Sequence, residues 1–263
     1  MENNDKLSGN ISFDRRTKIL EILEVDGQAK VSSLSNKFNV SSVTIRNDLE
    51  QLEKKGLVIR TRGGALKAQK VGIDYNLETK RKKNHIEKEL IGKKAAALVG
   101  DGETIILDSG TTTMEIAKNL QNIENLTVIS NALNIVSHLV NLPNVKVIVP
   151  GGYLRKESLS LIGYSAEEEL KNYYCDKLFI GVDGIDATYG ISTPNAEEAH
   201  LNKAMISIAK EIFVVADSSK FLKRSFAFIS TLDEITSIIT DANIPEHQHK
   251  ALLNMGVNVI IAE

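Results

Sequence analysis

Between residues 104 and 262 seven short runs of β-branched and aliphatic residues recur: TIILD (104–108), LTVIS (126–130), VKVIVP (145–150), KLFIGVD (177–183), IFVVAD (212–217), SIITD (237–241) and VNVIIA (257–262). Runs this continuously apolar belong to strands buried on both faces. Amphipathic helical segments lie between several of them, at 112–121, 132–141, 196–210 and 245–254. The βα alternation predicts a mostly parallel sheet flanked by helices. No internal repeat or low-complexity segment interrupts it.

The front of the chain follows a different pattern. After a polar stretch, a helical pattern begins at Asp14, with Ile19, Leu20 and Leu23 on one face, and Asp26-Gly27 ends it. Val31, Leu34 and Phe38 mark a second short helix, and Asn39-Val40 a turn. Ser41 is a suitable N-cap for a third helix, whose buried face is Ile45, Leu49 and Leu52 and whose stop is Gly56. LVIRTR then alternates toward Gly63-Gly64, which predicts a strand and the return of a hairpin. Three helices and a hairpin make a winged helix-turn-helix. The expected layout is a disordered tail over 1–13, a winged helix-turn-helix over 14–66, a linker and connecting helix over 67–98, and an α/β domain over 99–263.

Charge divides along the same line. Residues 1–94 carry 20 Lys and Arg against 13 Asp and Glu, whereas residues 95–263 carry 12 against 21. A basic front on an acidic body points to a polyanionic partner for the front; a solvated basic helix in the linker would give the same count. On the third helix Val43, Arg46 and Asn47 fall opposite the apolar face, with Thr44 on the flank. That set fits a major groove, with Arg for guanine, Asn for adenine, and a Val or Thr methyl against thymine. Ser41, Ser42 and Thr44 at the helix start can hold phosphate, and Arg60 and Arg62 on one side of the wing strand can reach the backbone or minor groove. The bland alternative is a winged helix used for protein contact.

In the rear half, Ser109, Gly110, Thr111, Thr112 and Thr113 form a tight loop and helix start after a buried strand, an arrangement that can cradle an anion and that would equally be a well-capped helix. Other strand ends are polar too: Asn131, Gly151-Gly152 with Arg155, Asp183, and Lys220 in ADSSK. The carboxyl ends of parallel strands line the ligand crevice, so these residues predict one site. Lys220 would neutralise phosphate there, and Asp108 would take sugar hydroxyls. GVDGIDATYG lacks the spacing of a dinucleotide fingerprint, the five histidines are scattered, and no metal or cofactor is expected. The single cysteine, Cys175, excludes a disulfide framework within one chain and is expected as buried filler. No apolar run approaches the length of a membrane span, and a cytoplasmic protein is expected.

The front segment RRTKILEIL…VSSLSNKFNVSSVTIRNDLEQLEKKGLVIRTRGGAL resembles the DNA-binding domain of the DeoR family of bacterial transcription regulators. Ser41, Thr44, Ile45, Arg46, Asp48 and Leu49 match that family's core motif, and Gly63, Gly64 and Ala65 match the end of its wing. The rear half resembles the family's sensor domain, through Asp108, Gly110, Thr111, Thr112, Asn131, Gly151-Gly152, DKLFIGVDGID…GIST and Asp217-Ser218-Ser219-Lys220. The resemblance spans residues 14–262, and DSGTTTMEIA and GVDGID…GISTPNAEEAHLNKAM are most similar to the AgaR-like subgroup, which controls N-acetylgalactosamine and galactosamine catabolism. It implies a sensor fold similar to ribose-5-phosphate isomerase and the CoA-transferases. It also implies a repressor that a phosphorylated sugar or amino sugar releases from a double-stranded DNA operator. The mechanism expected for it is a homodimer or homotetramer, with the connecting helix over 76–98 carrying the strain. The other reading is a sugar-phosphate isomerase-like enzyme with an appended nucleic-acid-binding domain, with Asp108, Asp183 or Glu198 as the base.

Overall fold

The computed structural model describes residues 15–23, 26–54, 57–67 and 74–263. The expected tail over 1–13, the helix start at Asp14, the stop at Gly56 and residues 68–73 of the expected linker lie outside the described residues. The chain divides into two compact units, Met1–Lys70 and Val71–Glu263.

In the first unit, α1 (15–23), α2 (Val31–Phe38) and α3 (Ser42–Lys54) enclose Ile19, Leu23, Val31, Leu34, Ile45, Leu49 and Leu52. The turn between α2 and α3 is set by Asn39, which takes the left-handed conformation (φ 50°) that a short polar side chain tolerates. Ser41 then caps α3, its Oγ accepting from the Thr44 amide at 3.1 Å. Asp48, buried on the inner side of α3, accepts from Arg15 Nε at 2.5 Å and ties α1 to α3.

Three strands complete this unit: β1 (Gln28–Lys30), β2 (Val58–Thr61) and β3 (Gly64–Lys67), in the order β1-β3-β2 and antiparallel. The sequence shows the β2–β3 hairpin but not β1. Gly64 is required by β1, because a Cβ there would lie 2.1 Å from the Ala29 carbonyl oxygen. Arg62 is corrected from the strand to the two-residue turn that joins β2 and β3, so it does not alternate with Arg60.

The second unit opens with α4 (Leu77–Lys82) and α5 (His85–Ala96). Residues 76–98 are therefore not one connecting helix. The break falls at Lys83-Asn84, with Asn84 left-handed at φ 49°. Nor is α5 a linker: Ile91, Ala95 and Ala96 are buried in the core of this unit.

The remaining strands are β4 (Thr104–Leu107), β5 (Leu126–Ser130), β6 (Val145–Ile148), β7 (Tyr153–Arg155), β8 (Ser160–Ile162), β9 (Cys175–Gly181), β10 (Gly184–Asp186), β11 (Gly190–Thr193), β12 (Ala209–Val215), β13 (Ala227–Ser230), β14 (Ser237–Asp241) and β15 (Asn258–Ala262). Seven of them form one parallel sheet in the order β15-β14-β12-β9-β4-β5-β6, and these are the seven runs seen in the sequence. Alternate residues enter two cores, as a parallel sheet covered on both faces requires. Ile105, Leu107, Phe179 and Phe213 pack with α5, α6 (Thr111–Ala117) and α7 (Leu133–Leu139). Ile106, Leu178, Ile180 and Val214 pack with α8 (Tyr164–Leu170), α9 (Ala196–Ile208) and α10 (Glu246–Asn254). Phe179 and Phe213 stack with ring centroids 5.2 Å apart.

The hairpin β7–β8 and the small antiparallel sheet β10-β11-β13 were not legible in the sequence. The chain winds from β4 outward through β5 and β6, then returns to place β9 on the other side of β4. That reversal makes β4 and β9 the switch point, where an α/β sheet opens a crevice at its carboxyl edge.

Candidate functional sites in the two units

In the first unit the outer face of α3 carries the groove-reading candidates. Val43 is 60% exposed although the helix has an apolar face to offer it, and Arg46 and Asn47 are exposed beside it. Among the described residues neither Arg46 nor Asn47 has a side-chain partner. Ser41 Oγ and Thr44 Oγ1 lie 2.9 Å apart at the helix start, where the first backbone amides have no partner within the helix and that of Thr44 is taken by Ser41 Oγ. Ser42 is the first helical residue. Arg60 is less free than the sequence suggested: its guanidinium is 3.6 Å from Glu53 and its amide donates to the same carboxylate at 3.1 Å.

In the second unit the chain just beyond β4 and β9 brings two groups of polar residues together. The first is centred on Asp108, only 3% exposed. Its amide donates to the Phe179 carbonyl at 3.1 Å, which fixes it between β4 and β9, and Ser109 Oγ is 3.4 Å from its carboxylate. Burial, then the nearby Glu198 charge, raises its carboxyl to about 8, with the amides of Ser109 and Gly181 opposing the shift. Asp108 is thus largely a neutral acid at pH 7, able to donate as well as accept.

Glu198 is placed by the α9 cap, since its amide donates to Asn195 Oδ1 at 3.0 Å. Its carboxylate accepts from Arg155 Nη1 at 3.1 Å and Thr193 Oγ1 at 3.2 Å. Arg155 also pairs with Asp74 and donates to Ser158 Oγ at 2.8 Å. Two carboxylates therefore already occupy the Arg155 guanidinium. Asn131 joins the same group: its Nδ2 donates to the Leu161 carbonyl at 3.1 Å, while its buried Oδ1 has no partner among the described residues. Thr113 Oγ1 is buried and unpartnered too, 3.2 Å from where a Cβ on Gly110 would lie. Thr112 is buried and Thr111 half-buried. Gly151 and Gly152 are both left-handed (φ 79° and 106°), and Gly152 admits the Ile162 carbonyl where a Cβ would stand 2.4 Å away. The hairpin alone accounts for that glycine.

The second group surrounds Asp183. Lys220 Nζ and Lys80 Nζ each lie 2.8 Å from a different oxygen of its carboxylate. Burial works against the charged form of Asp183, but the two ammonium groups outweigh it and hold the carboxyl far below the usual range. Lys223 is brought in because Gly184 has no Cβ to keep its carbonyl away. Burial, then the Lys220 charge, lowers the Lys223 ammonium to about 8. Lys88, 5% exposed, donates to the carbonyls of Lys80 and Lys83 at 2.5 and 2.7 Å. Burial lowers its pKa, with Asp217 pulling the other way. Asn84 Nδ2 donates to Asp217 at 2.7 Å and to Ser219 Oγ at 3.2 Å.

Sequence reasoning missed Asp74, Lys80, Asn84, Lys88, Thr193 and Lys223. Only the charge density of 76–98 hinted at Lys80, Asn84 and Lys88, and it read as a solvated helix. Cys175 is buried filler as expected, its thiol pushed up to about 11 by burial and the Asp176 charge. Among the described residues no helix is long and apolar enough to cross a membrane.

Comparison with known proteins agrees with this division. Residues 15–71 match the DeoR-like helix-turn-helix domain and residues 83–242 the DeoR C-terminal sensor domain. A protein of Escherichia coli O157:H7, provisionally named an aga operon transcriptional repressor, is 40% identical over 94% of this chain and 93% of its own length. The HTH-type transcriptional repressor GlcR of Bacillus subtilis (strain 168) is 35% identical over 95% of this chain and 96% of its own. Among solved structures, ribose 5-phosphate isomerase A of Methanocaldococcus jannaschii overlaps 54% of this chain and 56% of its own at 21% identity and a TM-score of 0.40, too loose a likeness to bear on chemistry. With both domains matched and relatives aligned along nearly its whole length, the chain belongs to the DeoR family of transcriptional regulators.

Proposed function

We propose that this regulator represses a sugar or amino-sugar catabolic operon and is released from its operator by the phosphorylated sugar of that pathway. The observation that carries the effector half of this reading is the gathering of buried hydrogen-bonding side chains at the switch point between β4 and β9. Asp108, Asn131 and the Ser109–Thr113 loop, with Gly151, Gly152, Arg155 and Glu198 behind them, offer donors and acceptors for sugar hydroxyls. Lys220 beside Asp183 offers positive charge for a phosphate. On the DNA side, Ser41, Ser42 and Thr44 would hold phosphates, Val43, Arg46 and Asn47 would read base edges, and Arg60 and Arg62 would track the backbone.

A homodimer or homotetramer would set two recognition helices into successive major grooves. The effector shifts the balance only through its different affinity for the bound and released arrangements. Relatives named as repressors support the sign of regulation, and the likeness to the AgaR-like subgroup makes amino-sugar phosphates the first effectors to try. The protein acts as a switch and not as an enzyme, and its regulator relatives support that assignment.

The test is a DNA-binding titration on the gene's own upstream region, with and without galactosamine 6-phosphate, N-acetylgalactosamine 6-phosphate and tagatose phosphates. Each sugar is also recovered and checked for turnover. Release by one sugar, returned unchanged, is the expected result. Tight binding that ignores every sugar would remove the effector half of the proposal, and conversion of a sugar would favour the enzyme.

A further inference from the structure

Residues 74–84 enter the second unit directly after the boundary at Lys70–Val71 and cross three features of its carboxyl edge in turn. Asp74 pairs with Arg155 at the end of β7, and the Leu77 amide donates to the Glu157 carbonyl in the β7–β8 turn at 2.9 Å. Lys80 then reaches Asp183 beyond β9, and Asn84 reaches Asp217 and Ser219 beyond β12. Within this segment α4 is a six-residue helix with no buried side chain. So short a helix does not hold itself in water, and no apolar face fastens it. Its position rests on those polar contacts and on Lys88, whose ammonium satisfies the carbonyls of Lys80 and Lys83 at its trailing end.

At the centre of the strap, Lys80 and Lys220 straddle one carboxylate. Lys83, Lys88 and Lys223 lie in the same field, so among the described residues five ammonium groups share Asp183 and Asp217. A phosphate monoester carries more charge and more acceptor oxygens than a carboxylate and competes with it for such donors.

We propose that Lys80 is an effector-contacting residue, exchanging Asp183 for the phosphate of a phosphorylated sugar, and that this exchange moves the strap at the point where the chain leaves the DNA-binding unit. The inference rests on the effector reading above and adds two things to it. The phosphate is held partly from outside the sheet, by the strap, and the strap is the element that feels it. Asn84, already left-handed and bonded to Asp217, is the pivot about which α4 turns.

The full-length protein and its Lys80→Gln and Lys80→Arg variants are titrated calorimetrically with galactosamine 6-phosphate, N-acetylgalactosamine 6-phosphate and inorganic phosphate, and their operator affinity is measured without ligand. Lys80→Gln should weaken each phosphate probe that wild type binds by about tenfold or more, the loss of one charged hydrogen bond. Release of the operator by the sugar should be blunted in Lys80→Gln, and Lys80→Arg should recover most of the affinity. A purely structural role predicts no rescue by Arg. Wild-type binding with equal binding by Lys80→Gln would overturn this inference alone. Failure of wild type to bind any of the three probes would overturn the effector reading and this inference with it.

Discussion

Arg155 Nη1 lies 3.1 Å from Glu198 Oε1, and both side chains are nearly closed off from solvent. A guanidinium in that position also serves Asp74, so removing it strands two carboxylates at once. Breaking a buried pair from one side costs roughly 3–5 kcal/mol, because the remaining charge has no partner. Arg155→Met should therefore lower the unfolding free energy of the sensor unit by about 3 kcal/mol. Glu198→Gln keeps the shape and can still accept from Arg155, so it should cost less. The double variant should be more stable than the sum of the single losses predicts. Chemical denaturation of the four proteins measures the coupling, and simple additivity would mean that the pair does not interact.

Asp108 makes a pH prediction. Its carboxyl is raised to about 8 by burial and by the Glu198 charge, above the ordinary value that it regains on unfolding. Between those two values the folded state binds the extra proton, so stability falls as pH rises from about 4 towards 8. Asp108→Asn removes the titration while keeping the shape. Without ligand, the variant should match wild type near pH 4 and exceed it at pH 8 by roughly 2 kcal/mol or more. Thermal unfolding across that range checks the sign. A variant less stable than wild type at pH 8 would show that the ionised carboxylate is favoured in the folded protein.

The seven-stranded sheet was legible because burial on both faces leaves each strand almost wholly apolar, a pattern visible without tertiary information. The strands missed were those without that signal. β1 is three residues, Gln-Ala-Lys, held only by its register with β3. β10 and β11 are short and separated by a turn. The break at Asn84 was hidden because no Gly or Pro marks it and the flanking residues favour helix, leaving tertiary contacts to decide. Of the candidate site, Asp108 and the threonine loop were legible since they follow a strand directly. The partnerships that define their chemistry were not. Arg155 and Glu198 are 43 residues apart and Lys80 and Asp183 are 103 apart, distances over which one sequence carries no pairing signal.

Gly64 tests the wing. It needs no unusual backbone angle, but β1 passes so close that a methyl group would meet the Ala29 carbonyl and the Lys30 backbone, with nothing flexible to yield. Gly64→Ala should destabilise the first unit by about 1–3 kcal/mol and weaken operator binding by displacing the wing, while the affinity of the sensor for its ligand stays unchanged. Gly63→Ala, where open space surrounds the position, is the control. Equal operator binding by both variants would mean that β1 does not hold the wing.

Arg46 and Arg60 lie in one small unit and should fail differently. Arg46 is exposed on the outer face of α3 with no partner among the described residues, next to Val43 and Asn47. If it reads a guanine edge, Arg46→Ala should cost about 1–3 kcal/mol on the operator and much less on unrelated DNA, so that specificity falls. Arg60 is already paired with Glu53 and would meet the DNA backbone. Arg60→Ala should weaken all sequences alike and reduce the dependence of binding on salt by about one phosphate contact. Titrations of both variants on operator and random duplexes, at several salt concentrations, separate the two roles. Equal losses on both duplexes for Arg46→Ala would move base reading to another residue of the α3 face, with Asn47 the next to substitute.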